Sequence, residues 1–207
     1  MQLPSDIAIR WMTYDPAQAG ALEALLSSEE RVRVARYSHA GRRQSFTLGR
    51  AAARTLLAER LGVGPAQVPL RVADDGGVDV DGAALTLSIA HSGAHAVAAI
   101  AERAVGIDLE RIAPRHERLP RFILHPDEYA AFDALPLDAE HTAILYWTLK
   151  EATLKALRTG FRLSPKKVRL EIDLSTQSAR AHLTNRPPMH LRFEERDAYY
   201  LAVAFEG

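Results

Sequence analysis

The stretch VGIDLE at residues 105–110 alternates apolar positions with small or acidic ones. Successive side chains of a β-strand point to opposite faces, so the apolar residues are predicted to face a core while Asp108 and Glu110 share the other face. Acids on such a face are often simply solvated. Two neighbouring carboxylates are also part of a ligand set for a hard cation, and the stretch alone leaves both interpretations open.

A third carboxylate follows on a predicted helix over residues 139–157, with Gly160 as its stop. Trp147, Glu151 and Lys155 recur there at four-residue spacing and therefore share one face. Glu151 adds an oxygen donor, and the absence of an imidazole or thiolate pattern favours magnesium over zinc. Lys155 is either the partner of Glu151 in a modest surface ion pair or a cation beside charge that develops in phosphoryl transfer. Trp147 is interpreted as core support for the helix.

The rest of the chain combines helix and strand patterns, which indicates an α+β fold. Helices are predicted from Asp15-Pro16, from a capping-box pattern at Ser27 and Glu30, over 43–61 with Gly62 as the stop, and over 127–132 after Pro126. Strands are predicted over 84–89, 95–101, 168–172, 189–193 and 199–205, with turns at 76–77 and 91–93.

A weak internal repeat links positions one hundred residues apart. Pro65 matches Pro165, Val68 matches Val168, and Leu70 matches Leu170. Chance matches between apolar segments are an alternative explanation. A true repeat predicts two similar, pseudo-symmetric halves, 1–102 and 103–207, each a small sheet packed with helices, with a cleft between them.

Composition narrows the classes of function. The 207 residues include no cysteine and carry a formal net charge of zero. Disulfides, thiolate ligands and a cysteine nucleophile are excluded, and no overall field favours nucleic acid. No stretch resembles a leader or a membrane span, so a cytoplasmic protein is expected.

One basic segment stands out from this balance. Residues 31–54 contain seven arginines and no acid. The arginines either line a solvated helix face or bind an anion such as a phosphate group.

The histidines His91 and His95 do not fit a zinc pair. Gly93 and the strand-turn context break helical geometry, and no glutamate follows His91 as a zinc-protease motif requires. His91, in a polar turn, is instead a reasonable phosphate contact.

Three motifs in order, SIAHSG at 88–93, VGIDLE at 105–110 and WTLKEATLKA at 147–156, together resemble the Sfp-type 4′-phosphopantetheinyl transferases. The resemblance covers about 36–205 and implies two fused α+β halves with the active site at their junction. It implies a holo-[acyl-carrier-protein] synthase type of enzyme that transfers 4′-phosphopantetheine from coenzyme A to a serine of an apo acyl or peptidyl carrier protein and releases 3′,5′-ADP. Such enzymes serve fatty-acid, polyketide or nonribosomal peptide synthesis.

The resemblance also implies roles for individual residues. Residues 1–102 would bind the nucleotide end of coenzyme A, and 103–207 would hold magnesium and the catalytic groups. The implied magnesium ligands are Asp108, Glu110 and Glu151, with Glu151 also a candidate base for the serine. The implied coenzyme A contacts are His91, Arg43, Arg50, Arg54 and Lys155, and Lys155 would also stabilise or protonate the leaving phosphate. Glu128 matches an acidic position near the metal, with a catalytic role.

Two positions depart from the family pattern. Ala90 stands where many members have serine, and Gly76-Gly77-Val78 replaces a Gly-Lys-Pro turn, so a phosphate-binding lysine is missing. Lower affinity for coenzyme A, or compensation by an arginine, is expected.

Two other functions remain open from the sequence, a metal-dependent phosphohydrolase acting on nucleotides and a non-catalytic module that binds coenzyme A or a carrier protein. An acidic carrier would dock on a basic patch, either Arg115, Arg118 and Arg121, or Lys166, Lys167 and Arg169. A monomer without nucleic-acid or membrane partners is expected.

Overall fold

The computed structural model describes residues 1–74, 76–159 and 162–207. Internal contacts divide it into two compact units, Ser5–Glu102 and Arg103–Gly207 together with Met1–Pro4. We call them the N-terminal unit and the C-terminal unit. Among the described residues, no helix is both long and apolar enough to cross a bilayer.

In its described residues, the N-terminal unit has five strands and three α-helices. The strands are β1 (Ala8–Thr13), β2 (Leu70–Val72), β3 (Val78–Val80), β4 (Thr86–Ser92) and β5 (His95–Ala101). The helices are α1 (Ala19–Ala24), α2 (Ser28–Ala35) and α3 (Ala40–Leu61). The strands form an antiparallel sheet in the order β1-β5-β4-β3-β2, and α3 packs on β5, β1 and β4.

The C-terminal unit has the same plan. Its strands are β6 (Val105–Arg111), β7 (Arg169–Asp173), β8 (Ser178–His182), β9 (Met189–Arg196) and β10 (Tyr199–Phe205). Its helices are α4 (Leu119–Ile123), α5 (Tyr129–Ala134) and α6 (Ala139–Ala156). The sheet order is β6-β10-β9-β8-β7, and α6 packs on β6 and β10.

The two sheets therefore share one topology. In each unit the first strand pairs with the last, and the other three follow in reverse order of sequence. This confirms the prediction of an α+β fold with two similar halves. The long helix of each unit contributes small and branched apolar side chains to the core, such as Ala52 and Leu56 of α3 and Leu149 and Ala152 of α6. Burial of these faces stabilises each helix on its sheet.

Most predicted elements are present with shifted ends. Helix α3 begins three residues earlier than predicted and ends before Gly62, whose φ of 69° is the left-handed conformation typical of a glycine stop. The capping box of Ser27 and Glu30 is confirmed at the start of α2. The predicted helix after Pro126 is a 3-10 turn, Pro126–Glu128, followed by α5. Helix α6 matches its predicted range to within one residue, and Gly160 lies outside the described residues.

Four strands were not predicted. They are β1, β2, β3 and β8. Strands β2 and β3 have three residues each, too few for alternation to be visible. The turn predicted at 91–93 is also too long, because His91 and Ser92 belong to β4 and only Gly93 and Ala94 connect it to β5.

Candidate active site on strand β6 and helix α6

Strand β6 and helix α6 approach each other at Gly106. A Cβ atom at this position would lie 2.1 Å from the carbonyl oxygen of Ala152 and 2.3 Å from the nitrogen of Ala156. Only glycine permits this contact between backbones. Because side chains alternate along β6, Asp108 and Glu110 share the face of Gly106 and point towards α6.

Asp108 lies close to the helix and is 5% exposed. Its Oδ1 accepts a hydrogen bond from Lys155 Nζ at 2.7 Å. Its Oδ2 is buried and has no hydrogen-bond partner among the described residues. A buried carboxylate oxygen left in this state is costly, so the site is suited to a cationic ligand at Oδ2.

Glu110 is held from two sides. Trp147 Nε1 donates to its Oε1 at 2.9 Å, and Arg115 donates to its Oε2 at 2.6 Å. Burial raises the pKa of Glu110, and the negative charge of Asp108 raises it further, whereas these hydrogen bonds and charges oppose the shift. Trp147 is therefore more than the core support expected from the sequence, because it orients a carboxylate.

Glu151 completes a group of three interacting acids. Burial raises its pKa to about 7, the charges of Asp108 and Glu110 add to that rise, and Lys155 opposes it. Glu151 Oε1 is buried without a hydrogen-bond partner among the described residues. Two carboxyl groups with raised pKa values beside Asp108, together with two buried oxygens that lack donors among the described residues, form a site suited to a cation.

These residues suit a magnesium ion in donor chemistry. Magnesium is bound by oxygen ligands, often one or two carboxylates together with phosphate oxygens and water. As the side chains stand, the described residues contain no cluster of three or more His, Asp or Glu groups arranged to hold a metal. In this arrangement Asp108 Oδ1 accepts a hydrogen bond from Lys155 Nζ. The fit thus rests on the unpaired oxygens of Asp108 and Glu151 and on the mutual repulsion of the acids.

Glu128 has different surroundings from those expected. Its side chain is 1% exposed and forms an ion pair with Lys150 Nζ at 2.5 Å. Its carboxylate also accepts bonds from the backbone nitrogens of His125 and Leu170 at 2.6 Å each. These contacts describe a buried structural carboxylate, so the structure gives its expected catalytic role no support.

Two of the predicted coenzyme A arginines are likewise engaged internally. Arg54 is 2% exposed and donates to Glu30 at 2.5 Å. Arg50 lies 3.6 Å from the same carboxylate, and burial lowers its pKa. Arg43, by contrast, is exposed on the first turns of α3. Among these arginines, Arg43 has the side chain best placed for an external anion.

His91 lies near the end of β4, opposite Ala96 of β5, and its side chain is exposed. It also takes part in an interaction with another group. The exposed His91 side chain is therefore accessible to a phosphate group.

The N-terminal unit carries a charge-reversed pair at the corresponding place. Arg10 lies opposite Ala98 of β5 and pairs with Glu59 of α3 at 2.5 Å. In the C-terminal unit Asp108 lies opposite Ala202 of β10 and pairs with Lys155 of α6. Strand β6 thus carries two acids, whereas the corresponding strand β1 of the N-terminal unit carries Arg10. The candidate site therefore belongs to the C-terminal unit.

Sequence reasoning missed Gly106, Lys150 and the contact of Arg115 with Glu110. A glycine inside a strand pattern often marks a close backbone approach, and this signal was present in VGIDLE. Lys150 offered none, because a lysine beside Glu151 in a helix is ordinarily solvated. The distance between Arg115 and Glu110 depends on the course of the chain after β6.

Comparison with known proteins agrees with these features. Residues 104–204 match the model of the 4′-phosphopantetheinyl transferase superfamily. The 4′-phosphopantetheinyl transferase HetI of Nostoc sp. is 35% identical over 152 residues, which cover 70% of this chain and 64% of that protein. A putative 4′-phosphopantetheinyl transferase of Synechocystis sp. is 33% identical over 67% of this chain and 59% of that protein. The 4′-phosphopantetheinyl transferase of Bacillus subtilis is 27% identical over 72% of this chain and 68% of that protein. The chain thus spans about three fifths of the length of the two cyanobacterial relatives.

Among solved structures, holo-[acyl-carrier-protein] synthase of Thermotoga maritima aligns with 50% of this chain and 62% of that chain, with a TM-score of 0.39 and 22% identity. This limited similarity bears on neither substrate nor mechanism. The family match is a matter of sequence, and it spans the three carboxylates and Lys155. Through this segment the chain is similar to the 4′-phosphopantetheinyl transferase superfamily.

Proposed function

We propose that the protein transfers the 4′-phosphopantetheine group of coenzyme A to a serine of an apo acyl or peptidyl carrier protein, releasing 3′,5′-ADP. The observation that carries the proposal is the grouping of Asp108, Glu110 and Glu151 beside Lys155 within the segment that matches the superfamily. Whether the enzyme is of the holo-[acyl-carrier-protein] synthase type depends on the carrier that it accepts.

The metal proposed for this site is magnesium, held by Asp108, Glu110 and Glu151. When bound, it would neutralise charge on the pyrophosphate oxygens of coenzyme A. Asp108 Oδ2 and Glu151 Oε1 support this assignment, because both are buried and lack donors among the described residues.

Glu151 is proposed to accept the proton of the serine hydroxyl. Its pKa of about 7 in the metal-free protein reflects burial and neighbouring acids, and a bound cation would favour its ionised form. As the proton moves to the carboxylate, the serine oxygen forms a bond to the β-phosphorus of coenzyme A. The bond from that phosphorus to the bridging oxygen breaks, and 3′,5′-ADP departs.

Lys155 is proposed to act on the leaving group. Its ammonium is now bonded to Asp108 Oδ1, at the edge of the acid group, and its side chain remains partly exposed. The ammonium can therefore reach an anionic ligand. Positive charge placed where charge develops on a bridging oxygen lowers the barrier, and Lys155 can also supply a proton to that oxygen.

The proposal divides the work between the two halves, with residues 1–102 binding the nucleotide end of coenzyme A and 103–207 the metal and reacting groups. Arg43 and His91 are the candidate contacts with exposed side chains. Arg50 and Arg54 are proposed to support this region indirectly, through Glu30.

Carrier docking is proposed on the basic segment around α4. Arg118 and Arg121 shortly precede Phe122, whose side chain is 67% exposed. An exposed apolar side chain in a segment with two exposed arginines suits an acidic partner with an apolar contact residue. Arg115 is less suited, because it already bonds Glu110.

The test is incubation with coenzyme A, magnesium and a panel of apo carrier proteins, followed by intact-mass analysis of each carrier. We expect a phosphopantetheine adduct on at least one carrier. Lys155→Ala should slow its formation about 100-fold or more. Asp133→Asn, which removes an exposed carboxylate of α5, is the matched control and should react as the wild type.

Other outcomes identify other functions. Release of 3′,5′-ADP without any carrier would indicate a phosphohydrolase. Binding of coenzyme A without adduct or product would indicate a non-catalytic module. Either result across a broad panel would overturn the proposal, as would undiminished transfer by Asp108→Ala at limiting magnesium.

A further inference from the structure

A cavity of about 760 Å³ lies on strands β8 and β9 of the C-terminal unit. Its walls are formed by residues 178–180 of β8, 190–192 of β9, the preceding turn at 176–177, the segment 1–4 and Phe205. None of the described residues that line it belongs to β6 or α6. Its volume falls within the range of pockets that bind small molecules, about 300–1,000 Å³.

Three basic side chains lie on one face of this wall. Arg180 pairs in register with His190, and Ser178 pairs with Arg192. Residues opposite each other in an antiparallel pair share a face, so Arg180, His190 and Arg192 are neighbours. The described lining residues include no aspartate or glutamate. The wall therefore carries concentrated positive charge.

Two acids on this face have other partners. Glu171 lies opposite Arg180, but its carboxylate is 2.9 Å from Arg169 and 3.0 Å from His182. Glu194 follows Arg192 on the same face and accepts a bond from the Met1 amine at 2.7 Å. Neither Arg180 nor Arg192 forms an ion pair with another residue in the described parts of the chain.

The remaining groups add fixed geometry and hydrogen-bonding capacity. The His190 ring stacks on Phe205, with centroids 6.0 Å apart and planes 18° apart, which restrains the imidazole. The hydroxyls of Thr176 and Ser178 lie 2.8 Å apart. Hydroxyl, imidazole and guanidinium groups all donate to oxyanions, and guanidinium does so in a bidentate manner.

We propose that this cavity binds a small soluble molecule bearing a phosphate or pyrophosphate group through Arg180, Arg192 and His190. An anion between the two arginines relieves the repulsion of like charges on adjacent strands. The segment 1–4 forms one side of the cavity, and the volume of the cavity suits a small ligand. The inference is independent of the proposed transfer reaction.

The experiment is calorimetric titration of the full chain with inorganic pyrophosphate in the presence of a metal chelator. We expect binding by the wild type, and a dissociation constant at least about tenfold higher for the double variant Arg180→Ala, Arg192→Ala. Arg186→Ala removes an exposed arginine of the same unit outside the cavity and should bind as the wild type. Thermal unfolding of each variant checks its fold.

A second variant distinguishes this site from the candidate active site. Lys155→Ala should weaken pyrophosphate binding less than the double arginine variant does, because Lys155 does not line the cavity. Loss of binding in Lys155→Ala together with unchanged binding in the double arginine variant would assign the anion to the active site and overturn the proposal. Absence of binding by the wild type at millimolar pyrophosphate would overturn it as well.

Discussion

Arg54 and Lys150 perform the same structural task in the two units. Each extends from the long helix of its unit to a buried glutamate, Glu30 for Arg54 and Glu128 for Lys150. Each glutamate closes a capping box. Each cation also donates to backbone carbonyls of a 3-10 turn and the residue after it, which are Pro65, Ala66 and Val68 for Arg54, and Pro165 and Val168 for Lys150.

This correspondence is stronger evidence for a repeat than the apolar matches in the sequence. It joins a helix, a capping box and a turn in the same arrangement, whereas apolar matches arise easily by chance. The spacing between equivalent residues is slightly under one hundred in the helices and one hundred in the turns. A comparison at one fixed spacing therefore aligns the prolines and valines but not the ion pairs.

Removing Lys150 should destabilise the protein strongly. The Lys150→Met variant leaves the Glu128 carboxylate buried without its counter-charge, which typically costs about 3–5 kcal/mol. Urea unfolding followed by circular dichroism measures the loss. Arg54→Met should also destabilise the protein, but by less, because Arg50 remains 3.6 Å from the Glu30 carboxylate.

The exposed residue Lys166 provides the control for this experiment. Lys166→Met should change the free energy of unfolding by less than about 0.5 kcal/mol. The double variant Lys150→Met, Glu128→Gln should regain part of the loss, because no unpaired charge remains. Equal stability of Lys150→Met and the wild type would contradict the structural role.

Gly106→Ala should disturb the candidate site through the backbone. The added Cβ would meet the carbonyl of Ala152 at 2.1 Å, so β6 and α6 must separate. We expect a loss of about 1–3 kcal/mol or more in unfolding free energy and a larger fractional loss of transfer activity. Gly41→Ala, where the added carbon meets no atom within 4 Å, is the control and should be neutral or slightly stabilising. Normal stability and activity of Gly106→Ala would contradict the close approach.

The candidate acids could be predicted because side chains alternate between the two faces of a strand and recur every three to four residues on one face of a helix. Asp108 and Glu110 are on one face of β6, and Glu151 and Lys155 are on one face of α6, as the periods require. Period alone does not identify which faces meet. That depends on Gly106, where the backbone contact brings β6 against α6.

Buried charges were the least predictable feature. Arg54, Lys150 and Glu128 are residue types that are nearly always solvated, and each is buried here by a partner distant in sequence. The family resemblance implied a ligand-binding role for Arg54 and a catalytic role for Glu128. The buried ion pairs of these residues are not visible in the sequence.

Arg43 should affect coenzyme A binding without affecting stability, because its side chain is exposed. Arg43→Ala is expected to raise the KM for coenzyme A about tenfold, the usual effect of losing one charge-assisted contact, with a smaller change in kcat. Steady-state transfer assays measure both constants. Arg186→Ala, an exposed arginine of the C-terminal unit, is the control. An unchanged KM in Arg43→Ala would remove Arg43 from the proposed nucleotide site.

Trp147→Phe should weaken magnesium binding. The indole nitrogen holds Glu110 Oε1 at 2.9 Å, and loss of a group that orients a metal ligand typically lowers affinity about 10–100-fold. The measurement is calorimetric titration with magnesium. Trp11→Phe alters the other tryptophan of the chain, on β1, and should leave magnesium affinity unchanged. Equal affinities in the two variants would mean that the Trp147–Glu110 bond does not orient a ligand.

Glu151 should make the stability of the metal-free protein depend on pH. Its pKa rises from an ordinary value of 4.5 to about 7 on folding, mainly because of burial and then Asp108. Between these values the folded state binds the proton more tightly than the unfolded state. The contribution of Glu151 to stability is therefore fully present below about pH 4.5 and is lost as the pH rises through about 7.

We expect the unfolding free energy of the wild type in chelator to fall across this interval more steeply than that of Glu151→Gln. Urea unfolding at a series of pH values measures both slopes. Magnesium above pH 7 should restore stability to the wild type, since a ligand that binds the folded state stabilises it, and should do so less in Glu151→Gln. Identical pH slopes for the two proteins would show that Glu151 is not the buried acid of the site, whereas equal stabilisation by magnesium would remove it from the proposed ligands.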